Sequence, residues 1–383
     1  MTRHTSRCAD AFSIEALRAL ARRRLPRAVF DFFDGGAEDE RALRANREAF
    51  GKHVLMPRVL RDVNAPSLDT SILGAPSALP LAIAPTGAVG FGWRGGDIAI
   101  ASAAARHDIP YALSTSATAS IEEIAQVAKR RWFQAYILKD RAATLALIER
   151  AAASGYEALM ITVDLPVGGK RERDLRNHFS IPFRYTARNL LDFASRPAWS
   201  IPMLVRGVPQ MPNLQCIAAK QSGATSLASS VGRSYDPSFD WRDLAEIRRM
   251  WQGKLIVKGI VHPDDARRAV DLGVDAIVVS NHGGRQLDVG PATLDALPGV
   301  VAAAGTRVDV LVDGGIRRGS DIVIALALGA KAVLVGRATL YGACAGGEAG
   351  AMRALDILTD ELRRTLQLCG IERLADVGPE LLA

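Results

Sequence analysis

The chain has 383 residues, 49% of them apolar and 23% charged. That is enough to bury one large core or two average ones, and too apolar for a disordered or collagen-like polymer. The net charge of +7 raises nucleic acid as a partner. However, the basic residues are dispersed and no helix-turn-helix, zinc or RNA-binding aromatic motif accompanies them, so we expect anionic substrates, a phosphate-bearing cofactor or an anionic membrane face instead.

Residues 1–11 carry Arg3, His4, Arg7 and Asp10 and no apolar run, so no signal peptide is expected. Residues 12–80 read as helices and turns. Phe12, Ile14, Ala16, Leu17 and Leu20 have helical periodicity, and Pro26 stands where the next helix should open. Gly35 and Gly36 interrupt before a charged helix near residues 38–50. This N-terminal part, to about residue 80, looks like a cap on the rest of the chain.

From residue 81 short apolar runs alternate with Ala-rich helical stretches. Predicted strands cover residues 81–84, 111–113, 132–136, 158–163, 255–257, 276–279, 308–312 and 332–335. Helix patterns fall at residues 121–129, 144–153, 263–272 and 320–328. Strands that are apolar throughout are buried on both faces, as in a parallel sheet. Eight strand–helix units match a (β/α)8 TIM barrel better than an open doubly wound sheet, because no Gly-rich dinucleotide fingerprint follows the first strand. We therefore expect one domain: a helical cap to about 80, a barrel over about 81–345 and C-terminal helices over about 346–383.

One unit departs from the repeat. After the fourth strand an insertion spans about 174–240, beyond an ordinary connection. In it Arg176, Arg184, Arg188, Arg196, Arg206 and Lys220 face one acid, Asp192, and alternate with Phe179, Ile181, Phe183, Leu190, Leu191, Phe193, Trp199, Ile201 and Leu204. It reads either as a lid or subunit contact, or as a basic, aromatic membrane-surface patch.

No window approaches eighteen uninterrupted apolar residues, so no spanning helix is expected. Cys8, Cys216, Cys344 and Cys369 are far apart and form no CxxC pair, which fits a reduced, cytoplasmic protein with peripheral membrane contact still open. No His/Cys/Asp/Glu grouping has zinc or calcium spacing, so no metal is expected.

Barrel enzymes carry their chemistry just past the C-terminal strand ends. Polar groups stand there in every unit: Pro85, Thr86 and Gly87; Ser114; Gln134 and Tyr136; Thr162 and Asp164; Lys258; Ser280, Asn281 and His282; Asp313, Gly314 and Gly315; Gly336 and Arg337. The loops after the seventh and eighth strands commonly bind phosphate, and here they carry glycines with Arg317 and Arg337. His282 titrates near neutrality and suits a general base, while Arg285 can grip a carboxylate with two hydrogen bonds.

The runs SNHGGRQLD (280–288) and DGGIRRGSDIVIALALGAKAVLVGR (313–337) resemble the signature of the FMN-dependent L-2-hydroxy acid dehydrogenase and oxidase family. The resemblance extends from LPRAVFDFFDGGAEDE to ATLYG and looks nearest the mandelate and flavin-type L-lactate dehydrogenase branches. It implies oxidation of an L-2-hydroxy acid to the 2-keto acid, with electrons passed to a quinone, a cytochrome or oxygen, in a homo-oligomer of the tetrameric kind. By the same match, Pro85, Thr86, Gly87, Ser114, Gln134, Thr162, Lys258 and Ser280 would contact the flavin ring. Asp313, Gly314, Gly315, Arg317, Gly336 and Arg337 would hold its ribityl phosphate. Arg171, Arg285 and Tyr136 would bind the substrate carboxylate and hydroxyl, with His282 as base and Asp164 behind it. Two positions depart from the family. Phe32 stands where many members have a Tyr donor, and Ser116 stands where a bulky Trp occurs in plant glycolate oxidase. With Gly87, Ser116 implies a roomier pocket and a larger substrate, such as an aryl acid. An FMN-binding barrel isomerase is the alternative, disfavoured by the paired arginines.

Overall fold

The computed structural model describes residues 7–180, 186–214 and 234–383. Ile181, Phe183, Arg184, Cys216 and Lys220 lie outside the described residues, as does the side chain of Arg188.

Three helices form the cap: α1 (Ile14–Arg24), α2 (Arg27–Asp34) and α3 (Arg41–Glu48). Ser13 starts α1, its Oγ accepting from the Ala16 amide at 3.1 Å and satisfying a donor that the first turn leaves free. Phe12 precedes that cap and is 80% exposed, so the apolar stripe begins at Ile14, not at Phe12. Pro26 sits immediately before α2, where its fixed φ suits a helix start.

A hairpin, β1 (Thr70–Ile72) and β2 (Ala75–Ser77), comes next. Three-residue strands are too short to show alternation, which is why the sequence did not reveal it. The hairpin closes the lower end of the barrel: Ile72 and Leu73 pack in the inner cluster with Trp132, Met160, Ile256 and Leu311. The Leu73 amide also donates to Asp309 Oδ2 at 2.7 Å.

The barrel strands are β3 (Leu81–Ile83), β4 (Tyr111–Ser114), β5 (Arg131–Ala135), β6 (Ala158–Thr162), β7 (Lys254–Ile260), β8 (Ala276–Val279), β9 (Asp309–Asp313) and β10 (Ala332–Val335). Each pairs in parallel with the next, and β10 closes onto β3. The eight predicted runs overlap all eight strands. Every residue of β6, β8 and β10 is buried, the physical source of their uninterrupted apolar character.

The remaining helices are α4 (Gly96–Arg106), α5 (Ile121–Ala125), α6 (Arg141–Ala153), α7 (Glu172–Arg176), α8 (Ala187–Ala194), α9 (Pro197–Arg206), α10 (Trp241–Met250), α11 (Pro263–Asp271), α12 (Thr293–Ala304), α13 (Gly319–Ala327) and α14 (Arg337–Cys369). Helix α14 is kinked at Gly346 and Gly347, where the barrel was expected to end. One apolar cluster joins Ile14, Leu17, Phe30 and Phe33 of the cap to Leu81 of the barrel and Leu355 of α14.

The insertion is more regular than expected, since it contains α8 and α9. Trp199 anchors it: its Nε1 donates to the Phe91 carbonyl at 2.6 Å, and its ring lies 5.2 Å from that of Phe193. Burial of those two rings on one side leaves Leu190, Leu191, Ile201, Leu204 and Val205 exposed on the other.

Candidate active site

The C-terminal strand ends surround a cavity of about 710 Å³, within the range usual for small-molecule sites. It is lined by Pro85, Thr86 and Gly87 after β3, and by Ser116, Tyr136, Thr162, Lys258, His282 and Arg285. Asp313, Gly314, Gly315, Arg317, Gly336 and Arg337 close its other end. Phe32 reaches in from α2, and Arg171 from the residue before α7. Ser114, Gln134 and Ser280 do not line it. They lie buried behind the wall, where Ser114 Oγ donates to Gln134 Oε1 and Ser280 Oγ accepts from Lys258 Nζ at 2.6 Å.

His282 follows β8 with φ of +59°, in the left-handed region that a non-glycine residue seldom adopts. Gly283 and Gly284 continue the turn, and a Cβ at Gly284 would stand 2.4 Å from the Leu43 amide nitrogen. The turn therefore presses against α3 and aims the imidazole inward. His282 Nδ1 lies 2.9 Å from Asp164 Oδ1, and Nε2 lies 3.3 Å from the Tyr136 hydroxyl. With Nδ1–H donating to the carboxylate, the Nε2 lone pair is left to receive a proton at the cavity. Burial disfavours the Asp164 charge, but His282 and Lys258 more than offset it and hold the carboxyl below its ordinary value. Burial raises the Tyr136 phenol, which stays a protonated donor.

Two guanidiniums flank Phe32, those of Arg171 and Arg285, each 5.4 Å from the ring centroid. Arg171 Nε is held by Asp174 Oδ2 at 2.7 Å, and Arg285 Nη1 donates to the carbonyls of Phe32 and Gly35. Their remaining nitrogens have no acceptor among the described residues. Burial, with Arg171 and Arg337 nearby, pushes Arg285 down to about 9. Like charges held this close are relieved by an anion between them, so the pair can take up an anionic group such as a carboxylate.

Lys258 ends the regular part of β7, at a register shift between Lys258 and Ile260. Such irregularities re-aim a side chain. Its Nζ pairs with Asp313 Oδ2 at 2.8 Å. Burial opposes the charge, but Asp313 and Asp164 outweigh it and the ammonium is held above its ordinary value. It is a fixed buried cation.

Sequence reasoning missed several supports. Asn46 and Asn281 exchange two amide hydrogen bonds at 2.8 and 2.9 Å, tying the His282 turn to α3. Asp174 orients Arg171 through the contact with its Nε. Tyr235 packs 5.0 Å from the Tyr136 ring. Most of these partners are remote in sequence, and an isolated Asn, Asp or Tyr carries no periodic or motif signal.

Residues 21–383 match the family of FMN-dependent dehydrogenases. The chain belongs to that family. It is 42% identical to (S)-mandelate dehydrogenase of Pseudomonas putida, covering 97% of this chain and 94% of that protein. It is also 42% identical to L-lactate dehydrogenase of Caulobacter vibrioides, over 96% of each chain. The fold superposes on the monotopic membrane protein (S)-mandelate dehydrogenase with a TM-score of 0.92 and 41% identity, covering 98% of this chain and 99% of that one.

As an FMN-dependent dehydrogenase of L-2-hydroxy acids, the chain uses FMN, and the residues present fit that cofactor. Thr162 Oγ1 and Asp313 Oδ1, on two residues that line the cavity, are buried without a hydrogen-bond partner among the described residues. Each such atom costs about 1–3 kcal/mol if left so, and a polar ring edge would meet them. At the far end Gly315, with φ of +86°, packs so closely on α3 that a Cβ would stand 2.0 Å from the Asn46 carbonyl oxygen. That close approach leaves Arg317 and Arg337 at the cavity for a phosphate.

Proposed function

We propose that this dehydrogenase oxidises an L-2-hydroxy acid with a bulky, preferably aryl, side chain at the His282 site, and that it works against a membrane surface. The supporting observation is a single cavity that holds the His282–Asp164 pair beside the Arg171–Arg285 pair. The two guanidiniums grip the substrate carboxylate and so fix the orientation of the substrate beside His282. Tyr136 donates to the substrate oxygen. The substrate proton passes to His282 Nε2, and Asp164 stabilises the imidazolium that forms. Pro85, Thr86, Gly87, Thr162, Lys258, Arg317 and Arg337 would hold FMN, which when bound would supply the two-electron acceptor, with Ser114, Gln134 and Ser280 bracing that wall. The Lys258 ammonium offsets negative charge gained there.

Substrate size rests on the apolar wall made by Leu165, Pro166, Val167 and Met211. Ser116 contributes less room than its size implies, because it packs against Gly87, where a Cβ would stand 3.0 Å from Ser116 Cβ. An aryl group gains about 25 cal/mol per Å² of apolar surface buried, which glycolate cannot. Anaerobic flavin bleaching by glycolate, L-lactate, 2-hydroxyoctanoate and (S)-mandelate is the test. At least about a tenfold advantage in kcat/KM, worth about 1.4 kcal/mol, is expected for (S)-mandelate or 2-hydroxyoctanoate over glycolate. A preference for glycolate would overturn the reading.

No helix among the described residues is long and apolar enough to cross a membrane. Docking on the cytoplasmic face through the exposed apolar side of α8 and α9, with a quinone as acceptor, is the second part of the reading. The native enzyme should sediment with membranes and be released by detergent. Recovery wholly in the soluble fraction of a low-salt lysate would instead favour a lid or subunit contact, within a tetramer for example.

A further inference from the structure

Away from the active site, the corner between α8 and α9 meets the C-terminal end of α1 around a small cleft of about 130 Å³. Arg7, Arg23, Arg24 and Arg196 line it together with Ser195 and Ala198, and among the described residues no carboxylate does. None of the four arginines forms an ion pair among the described residues. Arg24 Nε and Arg196 Nε are buried without a hydrogen-bond partner among the described residues, and burial pulls Arg24 below its ordinary value. The other Arg24 nitrogens donate to the carbonyls of Gly92, Cys344 and Ala198, which holds the guanidinium in place. Basic residues in the last turn of α1 complement its dipole. That explains Arg23 and Arg24 but not the arrival of Arg7 and Arg196 from other segments. The cleft also lies at the N-terminus of α9, whose dipole favours an anion.

We propose that this arginine cleft binds a phosphate group, presented by an anionic lipid headgroup or by free phosphate. The lipid source rests on the membrane reading of α8 and α9, and the phosphate chemistry does not. Geometry favours the lipid. Leu204 lies six residues beyond Ala198, about 9 Å along α9 at 1.5 Å per residue. An interfacial helix sinks its apolar face about 5–10 Å into the headgroup–acyl boundary. The exposed Leu204 and Val205 thus lie on an apolar side of α9 that reaches to within about 9 Å of the cleft, close enough for both to meet one membrane surface.

The test uses FMN-saturated holoenzyme, so that added phosphate cannot act at the cofactor site. Wild type, Arg23→Gln/Arg196→Gln and a control, Arg242→Gln/Arg249→Gln on α10, are compared by cosedimentation with phosphatidylglycerol and phosphatidylcholine vesicles. Each is also melted in inorganic phosphate against chloride at equal ionic strength. Arg7→Gln, an exposed position, is a further variant that does not put folding at stake. Turnover with a soluble dye should be unchanged throughout. We expect wild type and control to bind phosphatidylglycerol about tenfold more tightly than phosphatidylcholine. The cleft variants should lose that preference and keep their phosphatidylcholine binding. If wild type binds no vesicle yet phosphate raises its Tm and not that of the cleft variants, free phosphate is the ligand and only the membrane reading has failed. A phosphatidylglycerol preference that survives in the cleft variants, or falls equally in the control, overturns the proposal. So does the absence of any preference together with no phosphate effect on Tm.

Discussion

At the residue scale, His282 combines a backbone in the left-handed region with a partner at each ring nitrogen, Asp164 and Tyr136. Asn is among the residues most tolerant of the left-handed region, so His282→Asn should keep the turn and the bound FMN. Its turnover should fall about 100- to 10,000-fold, the contribution of a general base, as read by flavin bleaching in single turnovers. Phe32 is the other informative residue. Its ring keeps the packing between Arg171 and Arg285 and lacks a hydroxyl. Phe32→Tyr adds one donor beside the carboxylate site, and a net hydrogen bond of about 1 kcal/mol corresponds to about a fivefold lower KM. An unchanged KM would place the phenol position out of reach of the substrate. The residues of the His282 turn were legible because three of them, His282, Gly283 and Gly284, are consecutive and sit directly after a strand. Asp34, which accepts from Arg18, Arg173 and Tyr341, was not legible, since its partners come from three separate elements.

At the scale of elements, the strands were legible because burial on both faces leaves an unbroken apolar run. The β1–β2 hairpin and helices α8 and α9 were not, the first for shortness and the second because basic residues interrupt the apolar stripe. Helices α8 and α9 expose Leu191 and Leu204 at 75% and 83%. Changing both to Glu removes no buried contact, so stability should move by no more than about 0.5 kcal/mol. The double variant should shift from the membrane fraction to the soluble fraction while its turnover with a soluble acceptor persists. Retention on membranes would assign the docking to some other face.

At the scale of the molecule, buried carboxylates set how stability depends on pH. Burial opposes the Asp34 charge, but Arg18 and Tyr341 hold it down to about 2, from an ordinary value of 3.8. A depressed carboxyl stabilises the fold above its unfolded pKa and ceases to as pH falls through the folded one. Asp34 thus contributes about 2 kcal/mol that is lost between about pH 4 and pH 2. Asp97 has the opposite sign, because burial raises it to about 6. Its favourable protonated state is lost as pH rises through that value. Thermal melts across pH should show a flatter acid limb for Asp34→Asn than for wild type. Asp97→Asn should reduce the loss of stability between about pH 4 and pH 6. Parallel curves for variant and wild type would remove these groups from the linkage.

The barrel, the glycine-rich loops after its last two strands and the residues at eight strand ends were determined by sequence alone, because each is a local pattern: an apolar run, a glycine pair, a polar group at a fixed offset from a strand. Tertiary structure decided what no local pattern encodes. It set Phe32 between two arginines from different loops, put Ser114, Gln134 and Ser280 behind the cavity wall instead of on it, and tied the His282 turn to α3 through Asn46 and Asn281. It also gathered Arg7, Arg23, Arg24 and Arg196 around one cleft that no acid lines among the described residues. Spacing along the chain cannot report such meetings, since they depend on how the cap and the insertion fold back over the barrel.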